Sequence, residues 1–168
     1  MNGERYKIIL PKFKLPYLQV PNIYKNLLEV ENIHTKQVRL ALYKIACFFQ
    51  REFRYDFIQY SMNDDDRESL RSFMFFFPGY YEEKDIAFGG CCFRYRDKWT
   101  DVHPHWALQW IWLHPFERSK GHLQEVWDMF VKEFGNFYVE PPLSRAMKFF
   151  LRRGKKYSIH GDFRKYLK

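Results

Sequence analysis

The residues with the clearest chemical potential lie in the short stretch Arg118-Ser119-Lys120-Gly121. It follows an apolar run, Trp106–Leu113, that closes at His114-Pro115, and it opens a stretch with helical patterning from about His122 to Phe134. A basic loop leading into a helix N-terminus is suited to an anionic phosphate. The first N–H groups of a helix have no intrahelical acceptor, and the helix dipole favours negative charge there. The backbone from about Ser119 to Leu123, with His122 as its first helical residue, supplies the N–H groups. Arg118 and Lys120 supply positive charge, and Gly121 lets the backbone come close to a ligand.

Candidate acid–base groups are less concentrated. A general base that works near neutral pH should be a histidine or a carboxylate with a raised pKa. The middle of the Trp106–Leu113 run holds Leu108 and Gln109 instead. His103 and His105 flank its start, and Glu82, Glu83 and Asp101 fall in turns. His103-x-His105 is half of a metal motif, but no second ligand pair at zinc spacing follows, so no metal site is expected. Asp64-Asp65-Asp66 lacks the alternating ligands and glycine turn of a calcium loop and reads as a solvated turn or helix start. Cys91 and Cys92 take opposite faces of a strand, one expected in the core and the other free to face a cleft. With Cys47 they make an odd count, a poor disulfide framework that fits a reducing, cytoplasmic setting. Simple alternation puts Trp106, Trp110 and Trp112 on one face of their strand and Ala107, Gln109 and Ile111 on the other.

The elements that must position these residues follow from periodicity and breakers. Tyr6 to Leu10 reads as a first strand closed by Pro11, and the segment containing Pro16 and Pro21 as extended chain or loop. Val38, Ala41, Leu42, Ile45, Phe49 and Phe53 recur at helical spacing, giving a helix from about Thr35 to Phe53. Phe57–Tyr60 either continues it or forms a short strand. Ser72–Phe77, Ile86–Tyr95 and Trp106–Leu113 are three strands joined by short polar turns, an antiparallel meander. The glycines at Gly89-Gly90 mark a bulge or a close backbone approach. Leu123, Val126, Trp127, Phe130, Val131 and Phe134 form one continuous apolar stripe, ended by Gly135. Phe137–Val139 is then a strand cut short by Pro141-Pro142. Because a helix separates it from Trp106–Leu113, those two strands run parallel. A last helix spans Leu143 to Gly154, and the basic tail has room for a strand at Tyr157–His160.

Composition bounds the rest. A chain of 168 residues without a linker suits a single domain over 1–168 with a substantial core, and 18 Phe, 12 Tyr and 5 Trp will fill it. The net charge of +8 favours anionic partners, nucleic acid among them. No apolar run approaches the roughly 20 residues of a membrane span, so no membrane is expected.

Element order and loop motif together resemble the GNAT superfamily of N-acetyltransferases. Its cofactor motif, Gln/Arg-x-x-Gly-x-Gly/Ala between a central strand and a helix, is matched by Arg118-Ser119-Lys120-Gly121-His122-Leu123. Leu113-His114-Pro115 is similar to the Val-x-Pro that closes the family's strand, and Ile86–Gly90 to its Ile-Val-Gly phrase. Ala146, Phe149, Phe150 and Gly154 resemble the family's later helical signature, with Leu143 in place of its Asn. The resemblance covers roughly Ser72 to Gly154. It implies an α+β (α/β) fold: a mixed, mostly antiparallel twisted sheet with a parallel, splayed central strand pair flanked by helices. It also implies acetyl-CoA as co-substrate, its pyrophosphate on the loop and its pantetheine arm in the splay, against backbone groups of Trp112 and Leu113. The implied reaction is direct acetyl transfer to an amine, whether on a small molecule, a protein or an aminoacyl-tRNA, by a monomer or homodimer. Leu123 departs from the usual Gly or Ala, and Phe150 stands where many members carry a tyrosine acid. Ser144, His105 and Gln109 are the candidates for the catalytic side. The alternative is a catalytically inactive binding module that uses its basic surface, from Arg152, Arg153, Lys155 and Lys156 to Arg164, Lys165 and Lys168, to hold nucleic acid or a partner protein.

Overall fold

The computed structural model describes residues 8–16, 23–63, 68–79, 83–97 and 104–153. Its elements are β1 (Lys12–Phe13), β2 (Ile23–Tyr24), β3 (Leu27–Val30), α1 (Lys36–Phe53), β4 (Leu70–Phe77), β5 (Asp85–Arg96), β6 (His105–Leu113), α2 (His122–Phe134), β7 (Tyr138–Val139) and α3 (Arg145–Arg153). One mixed sheet in the order β2-β3-β4-β5-β6-β7 carries them, with β1 paired to the start of β5. All pairings are antiparallel except β6 with β7, which is parallel. The expected meander and parallel pair are therefore both present.

The sheet is covered on both faces. α1 packs on one side, where Val38, Leu42, Ile45 and Phe49 meet Met74, Cys92, Trp110 and Trp112. α2 and α3 pack on the other, where Val126, Trp127, Phe130, Met147 and Leu151 meet Phe73, Phe93 and Leu108. Burying each such large apolar side chain contributes about 1.5–3 kcal/mol, which is why the helical stripes decide the layers. α1 begins where the Thr35 hydroxyl accepts the Val38 N–H, and it ends at Arg54 in a left-handed conformation. Its close seating depends on Gly90: a Cβ there would lie 2.6 Å from Leu42 Cδ1.

Several local expectations are corrected. Residues 8–10 are not strand; the first pairing falls later, at Lys12–Phe13. The hairpin Ile23–Val30 carried no two-residue alternation to reveal it, because all of Leu27–Val30 is buried. Phe57–Tyr60 is neither helix nor strand. Cys91 and Cys92 do take opposite faces, but both are fully buried and neither reaches a cleft. Burial, with the neighbouring Cys92 adding to it, pushes the Cys91 thiol well above its ordinary value, away from nucleophilic use. The Asp64–Asp66 run, His103, Gly154 and the expected strand at Tyr157–His160 lie outside the described residues.

The most consequential correction is in β6. Its register against β5 shifts between Cys92/Phe93, so that Trp110 pairs with Cys92, Leu108 with Phe93, and Gln109 is the extra residue. A bulge of this kind breaks the alternation of faces. Trp106 consequently packs on the α2 side, 5.1 Å from Phe134, while Trp110 and Trp112 lie under α1. The three tryptophans do not share a face.

Candidate active site

The bulge is also where the parallel strand pair ends. β6 and β7 pair only at Ala107↔Tyr138 and Leu108↔Val139, and the Glu140 N–H to Leu108 carbonyl bond (3.0 Å) is the last link. From Gln109 to Leu113 no described strand pairs with that edge of β6. Beyond that link an opening is left between β6 and β7 among the described residues, and its β6 edge runs about 17 Å at ~3.4 Å per residue. It leads from the crotch at Leu108 and Glu140 toward the N-terminus of α2.

The loop after β6 is built to expose N–H groups. A single 3₁₀ turn, Pro115–Glu117, is followed by Ser119 at φ 63° and Gly121 at φ 90°, both left-handed. Such alternation turns successive N–H groups toward a common anion-binding hollow. The first bond of α2 runs from the Glu125 N–H to the Gly121 carbonyl, so His122, Leu123 and Gln124 have no intrahelical acceptor, and no side chain caps the end. A Cβ on Gly121 would meet nothing within 4 Å, so the space over it is open. His122 anchors this end by packing on Phe88 (4.7 Å between ring centroids).

The side-chain charges are used differently from the sequence expectation. Both guanidinium termini of Arg118 donate to Glu52 of α1, at 2.8 and 2.6 Å, and its Nε donates to the Leu113 carbonyl at 2.8 Å. Trp112 Nε1 donates to the same Glu52 carboxylate (2.7 Å). Burial alone raises the Glu52 pKa, but the bonds from Arg118 and Trp112 and the Arg118 charge outweigh it and hold the carboxyl below its usual range. Lys120 Nζ lies 2.9 Å from Glu117 Oε1, and His122 Nε2 lies 3.1 Å from Glu117 Oε2. Two cations of the loop are thus matched by two carboxylates, and the attraction left for an anion comes from the backbone. His114 Nδ1 accepts the Phe116 N–H (3.3 Å). Burial first, then Arg118 and Lys120, lower the His114 pKa against an opposing pull from Glu117.

At the other end of the opening, on the α1 side of the sheet, a polar cluster surrounds the crotch. Gln109 Nε2 donates to Gln59 Oε1 (2.8 Å), and Trp110 Nε1 donates to the Gln59 carbonyl (3.0 Å). Gln109 Oε1 accepts from Arg94 Nε (3.3 Å). Arg96, opposite His105 of β6, reaches across that strand with its Nε to Glu140 Oε1 (2.6 Å). Tyr55 lies on this side too; burial first, and then the Glu140 carboxylate, raise its hydroxyl above the usual phenol range. His105 packs on Tyr138 (4.2 Å) at the margin of the cluster. Ser144 is elsewhere: its Oγ accepts the Met147 N–H (3.1 Å) and starts α3. Phe150, on α3, packs on Trp127 (5.0 Å).

Of the candidates from sequence, the structure groups Trp112, Leu113 and Arg118–Leu123 at one end of the opening and Gln109 at the other. Sequence reasoning missed Tyr55, Gln59, Arg94, Arg96 and Glu140. Only the short Phe137–Val139 strand hinted at Glu140, as the residue where that strand must leave its partner. Among the described residues no group of three or more His, Cys, Asp or Glu is placed to hold a metal ion. No helix there is long and apolar enough to cross a membrane.

A mixed sheet with one parallel strand pair, followed by an N–H-lined loop that opens a helix, is the GNAT fold, and solved structures share it. The ribosomal-protein-alanine N-acetyltransferase of Brucella melitensis biovar Abortus 2308 superposes with a TM-score of 0.57 at 8% identity, over 80% of this chain and 93% of that one. An aminoglycoside acetyltransferase from an uncultured soil metagenomic sample, in complex with sisomicin, gives 0.51 at 13% identity, over 80% and 90%. No protein-family model and no curated protein sequence matches the chain. The chain thus has the GNAT fold in a divergent sequence.

Proposed function

We propose that the protein is an acetyl-CoA-dependent N-acetyltransferase acting on an amine. The observation that carries this is the opening itself: a β6 edge from Gln109 to Leu113 that no described strand pairs, joining an N–H-lined loop to a polar cluster. The names of two similar structures, a ribosomal-protein-alanine N-acetyltransferase and an aminoglycoside acetyltransferase, support the same reading.

The residues present fit coenzyme A at the loop. Backbone N–H groups of Ser119–Leu123 would hold the pyrophosphate, with Gly121 leaving room, and the edge of Trp112 and Leu113 would meet the pantetheine amides. Bound acetyl-CoA supplies an activated thioester: the acceptor nitrogen bonds to the acetyl carbon, the C–S bond breaks, one proton leaves the amine and one reaches the thiolate. In this chain Glu140 would take the first proton. Its Oε1 is fixed by Arg96 while Oε2 has no hydrogen-bond partner among the described residues. Tyr55, kept protonated by burial and by Glu140, is the proton donor in place of the family's usual tyrosine, whose position holds Phe150. Gln109 orients the acceptor side through Gln59 and Arg94. His105 lines its margin, and Ser144 keeps a hydroxyl proton that its capping bond does not use.

Titration with acetyl-CoA tests the reading. Binding in the micromolar to sub-millimolar range is expected, lost in Gly121→Asp. No heat and no thermal shift at millimolar acetyl-CoA would overturn it.

A further inference from the structure

We infer that the acceptor is an amine that also carries an oxyanion, a carboxylate or a phosphate, bound by Arg94. This deepens the acetyltransferase reading and rests on it. Arg71 closes on Glu29 and Glu133, Arg96 on Glu140, and Arg118 on Glu52. Arg94 closes on no described carboxylate. Among the described residues its one hydrogen bond goes from Nε to Gln109 Oε1, and Gln109 is in turn held by Gln59. This neutral chain fixes the guanidinium in direction without cancelling its charge, and leaves both terminal nitrogens as a fork.

Arg94 is half-buried on the α1 side of β5, between Leu70 of β4 and the small Ala107 of β6. A partly desolvated guanidinium that no described carboxylate neutralises is costly unless an anion arrives, and its planar fork matches carboxylate or phosphate oxygens. Glu140 lies two strands away, about 10 Å between backbones at ~4.8 Å per strand, with both side chains on the same face of the sheet. A cation fork and a carboxylate at that separation fit a zwitterion of a few bonds: the amine toward Glu140 and the crotch, the oxyanion toward Arg94. The same cation disfavours a polycationic acceptor.

Matched pairs test this. Glycylglycine is compared with glycylglycinamide, and O-phosphoethanolamine with ethanolamine, by acetyl-transfer KM and by calorimetric titration into the CoA-saturated protein. The anionic member of a pair should show a KM at least about tenfold lower and should alone give binding heat; which pair does so separates carboxylate from phosphate. Arg94→Gln should erase the difference in both measurements, and Arg94→Lys should restore part of it. Equal KM values within each pair, better use of the neutral members, or a preference that survives in Arg94→Gln would overturn the inference while leaving acetyl transfer intact. Absence of acetyl-CoA binding would instead remove the acetyltransferase reading and this inference with it.

Discussion

Arg118 and Glu52 form a two-pronged ion pair, 2.6 and 2.8 Å, that ties the loop before α2 to the last turns of α1. Each side chain is about a third exposed, at 33% and 31%, so solvent screening limits the pair to under about 1 kcal/mol of stability. Its larger effect is on the loop's charge, because the cation nearest the expected phosphate site is already neutralised. Glu52→Gln should therefore release Arg118 toward the anion and tighten coenzyme A binding several-fold. It should also lower Tm by about 2–4 °C or less. Calorimetry and a thermal melt on the same sample read both effects, and a weaker or unchanged Kd would show that Arg118 serves the fold alone.

Gly121 separates backbone strain from ligand access. At φ 90° an alanine is strained, at an expected cost of about 1–3 kcal/mol, although nothing within 4 Å obstructs its Cβ. That open space is where a phosphate must approach. Gly121→Ala should lose tenfold or more in coenzyme A affinity when measured well below its melting temperature. Unchanged affinity in a destabilised variant would place the phosphates elsewhere on the surface.

These two positions also show what the sequence could disclose. The stripe Leu123–Phe134 located α2 without error, because helical spacing is a local property and Gly121 and Gly135 bound it on both sides. The loop's backbone role was readable for the same reason. The destination of Arg118 was not, since Glu52 lies 66 positions earlier and only the packing of α1 brings it near. The acceptor side was hidden twice over. Residues Gln59, Arg94 and Glu140 come from three separate segments. The bulge at Gln109, which sets the β6 faces and opens the strand pair, depends on register with β5 and has no composition signal of its own.

His114 makes the loop sensitive to mild acid. Burial and the charges of Arg118 and Lys120 lower its pKa below the ordinary 6.5 despite Glu117, and its neutral Nδ1 accepts the Phe116 N–H. A lowered histidine favours the folded state above the unfolded value, and that contribution is lost as pH falls through the folded value. Stability should decline on acidification below pH 6.5, before Glu52 and Glu117 add their own loss as pH falls below 4.5 through their lowered values. His114→Ala should flatten the first of these slopes and leave the second. A His114 ring titrating at or above 6.5 by NMR would contradict the account.

The two aromatic positions around the reacting end distinguish proton donors. Tyr55 lies on the α1 side, where burial and Glu140 keep its hydroxyl protonated through neutral and mildly alkaline pH. Phe150 sits on α3, packed against Trp127, and has no proton to give. If Tyr55 protonates the leaving thiolate, Tyr55→Phe should lower kcat by about 10²–10⁴-fold, the usual yield of a positioned acid. The affinity for acetyl-CoA should hardly change, because the loop lies at the opposite end of the opening. Adding a hydroxyl in Phe150→Tyr tests the other face of the sheet. Little change in kcat is expected there, whereas a large gain, with Tyr55→Phe neutral, would move the acid to α3. The alkaline limb of the kcat profile supplies an independent check. It should lie above the ordinary phenol range in the parent protein and vanish in Tyr55→Phe, an outcome that a purely structural Tyr55, packed at a tilt on Phe49 at 5.0 Å, would not produce.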